Sequence, residues 1–225
     1  TVAFDVISTN DQPTLTANET FVFTENASDS YAPIVIEAFD PDLEEGQTLS
    51  WTVTGDALAD LSYVSSSGTG FERRTYTFAP EADFDGARSF QVIVQDDHSG
   101  DPVDGDEPSA SAPGNYTVQI DNVNDAPTVV SPTVTGTEDT SLLITLPAPI
   151  DPDSASFTWS VTGLPANGAL ALTADGSPLG VGDLPSNQLW YRPVANGFGT
   201  PYDSFTFAAA DGDGGSSGNA TVTVN

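Results

Sequence analysis

Six short stretches occur twice in this chain, in the same order, and they constrain its fold more than any single count does. "FTENASD" (23–29) answers "GTEDTSL" (136–142), and "FDPD" (39–42) answers "IDPD" (150–153). "LSWTVTG" (49–55) answers "FTWSVTG" (157–163), and "YTFAP" (76–80) answers "LWYRP" (189–193). "SFQVIVQDD" (89–97) answers "SFTFAAADGD" (204–213), and "YTVQIDN" (116–122) answers "ATVTVN" (220–225). A repeat of this kind means two copies of one supersecondary plan.

Each copy reads as strands joined by turns. The sixth strand alternates cleanly, with Phe90, Val92 and Val94 on one face and Phe205, Phe207 and Ala209 as their counterparts. In the third strand Leu49, Trp51 and Val53 match Phe157, Trp159 and Val161, and both tryptophans are expected as core anchors. The pattern predicts seven strands per copy: near 19–25, 33–38, 48–54, 60–65, 71–78, 88–95 and 114–121, then near 132–138, 141–147, 156–162, 169–174, 188–192, 203–210 and 218–224. The predicted fold class is all-β, two tandem immunoglobulin-like seven-strand β-sandwiches joined by a short linker. The expected division is 13–123 and 124–225. Residues 1–12 read as the last strand (1–8) and linker of a domain cut away upstream, because "TNDQPT" (9–14) sets on "VNDAPT".

Charge narrows the function classes. Thirty-three acids against four bases give a net charge of -29. Phosphate binding needs clustered Lys and Arg, so nucleic acid is excluded as a partner, and an anionic membrane surface is disfavoured. No apolar run is long enough for membrane insertion. No cysteine is present, so the rigidity of the chain comes from something other than disulfides. Scattered acids would mean solubility or salt adaptation, and clustered acids would mean cation binding.

The acids cluster. With the entering linker at the top of a sandwich, the first–second and fifth–sixth connections lie at the bottom, and the second–third and sixth–seventh connections at the top. The bottom of the first copy then holds Glu25, Asp83 and Asp85. The linker "IDNVNDAP" supplies Asp121, Asn122, Asn124 and Asp125, and the top of the second copy holds Asp151, Asp153, Asp211 and Asp213. Gathered within roughly 10 Å, so many carboxylates repel strongly even at an effective dielectric near 20, unless cations intervene. Ca²⁺ takes six to eight oxygens from carboxylates, amides and carbonyls, which suits this donor set, whereas zinc would want His or Cys. A weaker upstream metal site is expected from Asn10, Asp11, Asp40, Asp42 and Asp96.

"TEN/TED" after the first strand, "DPD", "DFDG" and "DNVNDAP" resemble the calcium-binding motifs of cadherin repeats, and more closely the bacterial cadherin-like tandem repeats of large secreted adhesins, RTX-type ones included. The resemblance covers nearly the whole chain. It implies extracellular sandwiches stiffened by interdomain Ca²⁺, with neighbouring repeats of the same chain as partners, in a spacer or adhesive segment at a bacterial cell surface. The linker is one residue shorter than the animal cadherin "NDNxP", and "NGFGTPYD" (196–203) replaces the acidic fifth–sixth loop in the second copy, which leaves Glu138 with fewer neighbouring acids. The alternative reading is a calcium-dependent ligand-binding module for carbohydrate, peptide or a sister domain.

The first copy also carries a long loop, 96–115, where the second has a short turn. Its Asp97, Asp101, Asp104, Asp106 and Glu107 read either as a solvated insertion or as an additional metal or ligand site. "DGDGG" (211–215) is a single RTX-like stretch, and a β-roll needs tandem copies. Residues 40–51 fail the EF-hand pattern at Glu45 and Trp51. His98 has no nucleophile around it, so no enzyme is expected. Four sequons, at Asn18, Asn26, Asn115 and Asn219, are the kind that Thr/Ser-rich sequence makes by chance. Arg73 and Arg74, half of all bases, read as a solvent face or edge protection.

Overall fold

The computed structural model describes residues 10–25, 31–45, 47–97 and 109–225. The expected strand 1–8 and residues Asn26, His98, Asp101, Asp104, Asp106 and Glu107 lie outside the described residues. The chain divides into two compact units, Thr1–Val123 and Asn124–Asn225.

Unit 1 contains β1 (Thr14–Leu15), β2 (Glu19–Thr24), β3 (Ile34–Phe39), β4 (Leu49–Gly55), β5 (Leu61–Gly68), β6 (Phe71–Phe78), β7 (Gly86–Asp96) and β8 (Gly114–Asp121). They form two four-stranded sheets, β1-β3-β6-β5 and β2-β8-β7-β4. The period-two pattern closes the core. Ile34, Ile36 and Ala38 of β3 are fully buried against Val92 and Val94 of β7 and Val118 of β8. Phe90 stacks on Tyr116 with ring centroids 5.3 Å apart, and the Tyr116 hydroxyl donates to the Thr16 carbonyl at 2.9 Å. Gly55 ends β4 at φ +139°, and a Cβ there would lie 2.3 Å from the Ser89 carbonyl oxygen, so only glycine fits.

Unit 2 contains β9 (Thr133–Val134), β10 (Leu142–Thr145), β11 (Thr158–Gly163), β12 (Gly168–Ala171), β13 (Gly182–Leu184), β14 (Gln188–Pro193), β15 (Asp203–Ala210) and β16 (Ala220–Val224). Its sheets are β10-β14-β12 and β13-β11-β15-β16-β9. Ile144, Leu170, Tyr191, Phe207 and Val222 are its buried anchors. Trp51 and Trp159 both pack, partly buried, on their cores as expected.

The architecture is that of two β-sandwiches, with eight strand segments rather than seven among the described residues of each unit. In unit 1 the extra piece is β1, two residues long, which pairs with β3 before the chain crosses to the other sheet as β2. Its counterpart in unit 2 is the isolated bridge Thr128–Ile150. The extra piece of unit 2 is β13. The strand expected over 169–174 ends at Ala171, and the chain crosses to β11 before returning as β14. Gly182, at φ +138°, opens β13.

Register confirms the repeat. β2 runs parallel to β8 with Thr20–Phe21 opposite Thr117–Val118, and β9 runs parallel to β16 with Thr133–Val134 opposite Thr223–Val224. The last landmark is therefore equated through its Thr-Val pair, which puts Asn225 at the Gln119 position, not at Asn122. Glu25 and Glu138 each stand four residues beyond the matched phenylalanine and valine, Phe21 and Val134, in agreement with the "TEN/TED" match.

Candidate metal centres

Each unit has a head, where its preceding linker meets the loops that follow its second and sixth major strands. In unit 1, Pro41 fixes the backbone between Asp40 and Asp42, and Asp40 Oδ1 accepts from the Asp42 N–H at 2.9 Å. This is the local turn that an Asp makes with the residue two ahead. Asp42 Oδ2 then accepts from the Asp11 N–H at 2.6 Å. The Asn10 amide donates to Asp96 Oδ2 at 3.3 Å, and Gln47 donates to Asn10 Oδ1 at 2.8 Å.

Unit 2 repeats this frame, apart from the Gln47 bond. Asp151 Oδ1 accepts from the Asp153 N–H at 2.8 Å, and Asp153 Oδ2 accepts from the Asp125 N–H at 2.6 Å. The Asn124 amide donates to Asp211 Oδ2 at 3.1 Å. The loop stems agree too. Asp96 N–H donates to the Ser109 carbonyl at 3.2 Å, and Asp211 N–H to the Gly215 carbonyl at 3.1 Å. Val94 N–H is held by Ser111 Oγ at 3.0 Å and Ala209 N–H by Ser217 Oγ at 2.9 Å. The long loop of unit 1 is thus an insertion between stems of one design, with residues 97–108 standing where unit 2 has 212–214.

The heads are buried polar sites. Asp40, Asp42, Asp96 and Asp211 are all under one-tenth exposed. One oxygen of Asp40 and one of Asp151 (Oδ2 in both) are buried with no hydrogen-bond donor, and Gln47 Oε1 is in the same state. A buried carboxylate oxygen without a donor is costly, and a cation is one of the few things that satisfies it. Burial raises the Asp40 carboxyl above its ordinary range, helped by the negative charges of Asp42, Asp96 and Asp11 and opposed by the Asp42 N–H. Asp211 moves the other way. The Asn124 amide, with backbone N–H groups of Asp213, Gly215 and Gly214, holds it below the ordinary carboxylate range.

The opposite end of unit 1 gathers the second set. Glu25 is 3% exposed. Its Oε1 accepts from the Val123 N–H at 2.6 Å, and its Oε2 is buried without a donor. Glu25 N–H donates to the Asp121 carbonyl at 3.0 Å. Gly86 lies opposite Ile120, so Asp85 and Asp121 flank the same end of the β7–β8 pair. Asp83, at φ +56°, turns the loop just before them. Asp83, Asp85, Asp121 and Asn122 are exposed.

Not every acid belongs to these sets. Asp97 has a structural task, since its two oxygens accept from Thr48 N–H at 2.9 Å and Thr48 Oγ1 at 2.6 Å. Asp213 is exposed, and its N–H donates to Asp211 Oδ1 at 2.8 Å. Asp203, the first residue of β15, faces inward. It accepts from the Ala166, Asn167 and Ser204 N–H groups and from the Tyr191 hydroxyl at 2.8–3.0 Å. Sequence reasoning did not single out Gln47, Ser109 or Gly215. Gly215 had the clearest signal, the doubled glycine of "DGDGG": a Cβ there would sit 2.1 Å from Asp211 Oδ2 and 2.9 Å from the Asp125 carbonyl oxygen.

The fold has many solved counterparts. Over 97% of its length the chain is similar to a structure of protocadherin gamma B2 extracellular cadherin domains 1–5, with a TM-score of 0.58 and 18% identity, spanning 40% of that chain. It is similar over 98% of its length to human CDH23 EC21–23, with a TM-score of 0.55 and 16% identity, spanning 66% of that chain. The human desmocollin-1 ectodomain matches over 94% at a TM-score of 0.52 and 13% identity, with 40% of its own length spanned. At such identities the similarity concerns the fold. No curated protein is detectably similar in sequence. Residues 10–104 and 124–225 each match the bacterial Ig domain, and the chain belongs to that family as two domains in tandem.

Proposed function

We propose that this chain is a calcium-rigidified extender segment of a bacterial cell-surface adhesin, working outside the cell. One observation carries the reading: both heads hold the same five-residue set in the same hydrogen-bonded frame, each with a buried carboxylate oxygen that lacks a donor. The donors are hard oxygens, which suits Ca²⁺. In unit 1 the cation would be held by Asn10, Asp11, Asp40, Asp42 and Asp96. In unit 2 it would be held by Asn124, Asp125, Asp151, Asp153 and Asp211, with Asp213 at the rim. Glu25, Asp83, Asp85, Asp121 and Asn122 precede the unit 2 head along the chain through the Val123–Asn124 bond. We propose that they share its cations, which would convert the linker into part of the fold.

The reading assigns the net charge a task, because calcium neutralises carboxylates that otherwise repel. It gives a cysteine-free extracellular rod a source of stiffness. Non-catalytic architecture and partners drawn from neighbouring repeats fit the same picture. Small-angle X-ray scattering titrated with CaCl₂ against EGTA, with Mg²⁺ as control, tests it. The expected outcome is a calcium-specific change from a broad distribution of shapes to one extended shape. An unchanged profile, with no calcium bound by calorimetry, would sink it.

A further inference from the structure

Among the described residues, β5 is an edge strand that nothing guards. Among the described strands it pairs only with β6. From Leu61 to Phe71 the sequence "LSYVSSSGTGF" has no charge and no proline, and Ser62 to Gly68 are all exposed, with Tyr63 at 51% and Val64 at 69%. Natural sheets blunt such edges with charge, proline, bulges or covering segments, because an open row of N–H and C=O groups is a template for another strand. Unit 2 does so. There β13 covers β11, and β12 is only four residues long.

Beside this edge stands a cation without a counter-ion. Unit 1 has three arginines, in a chain with thirty-three acids. Arg73 pairs with Glu37, and Arg88 pairs with Asp60 and Glu81. Arg74 has no carboxylate partner among the described residues. It lies opposite Ser65 of β5 and shares its side of β6 with buried Tyr76. Its guanidinium sits 4.7 Å from the Trp51 ring and 4.2 Å from the Tyr63 ring, held across the opening between the edges β4 and β5. Trp51 Nε1 is buried with no hydrogen-bond partner, and the buried Tyr76 hydroxyl faces the Arg74 guanidinium. In unit 2 the corresponding Trp159 donates to the Pro147 carbonyl at 3.3 Å. The clamp orients a guanidinium fork that binds carboxylates bidentately.

We infer that β5 is a docking edge for an extended acidic segment, which adds to the sheet by backbone pairing and sets one carboxylate on Arg74. Backbone pairing supplies affinity, and the alternate side chain that turns inward supplies specificity. The inference is independent of the calcium reading, because β5 carries none of the acids of either head.

The test uses the full chain, isotope-labelled, with a short alternating Thr/Val peptide carrying one central Glu, and a twin carrying Gln there. The Glu peptide is expected to shift the amide resonances of Ser62–Gly68 and to bind about tenfold tighter than the twin. With Arg74→Gln the two peptides bind alike, and with Arg73→Gln the difference persists. Equal affinities of the two peptides for the unaltered chain would overturn the inference even if Arg74→Gln failed to fold, and so would shifts confined to other strands. Concentration-dependent broadening of the same amides without peptide would put a second copy on the edge and overturn the acidic occupant.

Discussion

The heads of the two units use the same turn, the same linker contacts and the same loop stem, yet they sit differently in electrostatic terms. In unit 1, Asp40 is wholly buried among three other acids, and its carboxyl is pushed up. In unit 2, Asp211 is held down by Asn124 and the backbone donors of a tight glycine turn. The geometry is a product of short-range chemistry, Asp-Pro-Asp and Asn-Asp, and so it repeats. The carboxyl shifts depend on local burial and donors, desolvation beside Asp42, Asp96 and Asp11 for Asp40 and the Asn124 amide with backbone N–H groups for Asp211, and so they do not.

The units diverge again where the strand after the fifth–sixth loop begins, and this divergence carries the largest expected effect. Arg88 of unit 1 ties that point to the connection after β4 through an ion pair with Asp60 at 3.0 Å. In unit 2, Asp203 ties the corresponding connection by capping the Ala166 and Asn167 N–H groups. Burial, and then Asp203 itself, raise the Tyr191 phenol, so that it stays a donor. Asp203→Ala leaves the buried Tyr191 hydroxyl and three part-buried backbone N–H groups without this acceptor and should cost unit 2 about 3 kcal/mol. Arg88→Ala removes partly exposed ion pairs and should cost unit 1 about 1 kcal/mol. Denaturant unfolding of the two variants measures both, and equal losses would break the distinction.

Calcium tests the likeness of the heads. At a hundredfold excess over its dissociation constant, a cation bound only to the folded form adds about 2.7 kcal/mol. Calorimetric scans with Ca²⁺ and with EGTA should show both units shifted. Asp40→Asn should blunt the shift of unit 1, and Asp151→Asn that of unit 2. A response from one unit alone would mean that equal hydrogen bonding does not make equal sites. A smaller effect separates the loop stems. Gly215→Ala should cost unit 2 about 1–3 kcal/mol through overpacking. Unit 1 carries Ser109 at that place, where its hydroxyl donates to Asp96 Oδ2 at 2.7 Å.

Much of this was legible in the sequence, for reasons that mark the limit. β3, β6, β7 and β8 announce themselves because alternation is local, and Ile34/Ile36 or Val92/Val94 show it within a few residues. The DPD turn is equally local. β1 and β13 escaped because two- and three-residue strands have no period to detect. They exist through what they pair with, Phe39 and Ala38 for β1, Trp159 and Val161 for β13. The same limit explains Asp203. As a residue type it reads as another acid near a loop of metal-type sequence, and only the fold turns it inward toward Tyr191. Arg74 looked like edge protection in sequence, yet the packing of Trp51 and Tyr63 turns it into a clamp.

Two head carboxyls, Asp40 and Asp211, shift in opposite directions, and acid titration in EGTA exposes the difference. A carboxyl whose folded pKa is raised binds protons more readily in the folded chain than in the unfolded one. Its contribution to stability is therefore fully present below the ordinary carboxylate range and is lost as pH rises through the raised value. Asp40 is such a group, so at neutral pH without cations its charge works against unit 1. Asp211 is the reverse. Its contribution is present above the ordinary range and is lost as pH falls through its lowered value. In EGTA at neutral pH, Asp40→Asn should raise the melting temperature of unit 1, whereas Asp211→Asn should lower that of unit 2. Carboxyl carbon resonances followed by NMR should place the Asp40 midpoint above the ordinary range and the Asp211 midpoint below it, and calcium should drive the Asp40 midpoint down by favouring the charged form. If the two midpoints coincide in EGTA, the burial of Asp40 and the donors around Asp211 do not set the two carboxyls apart.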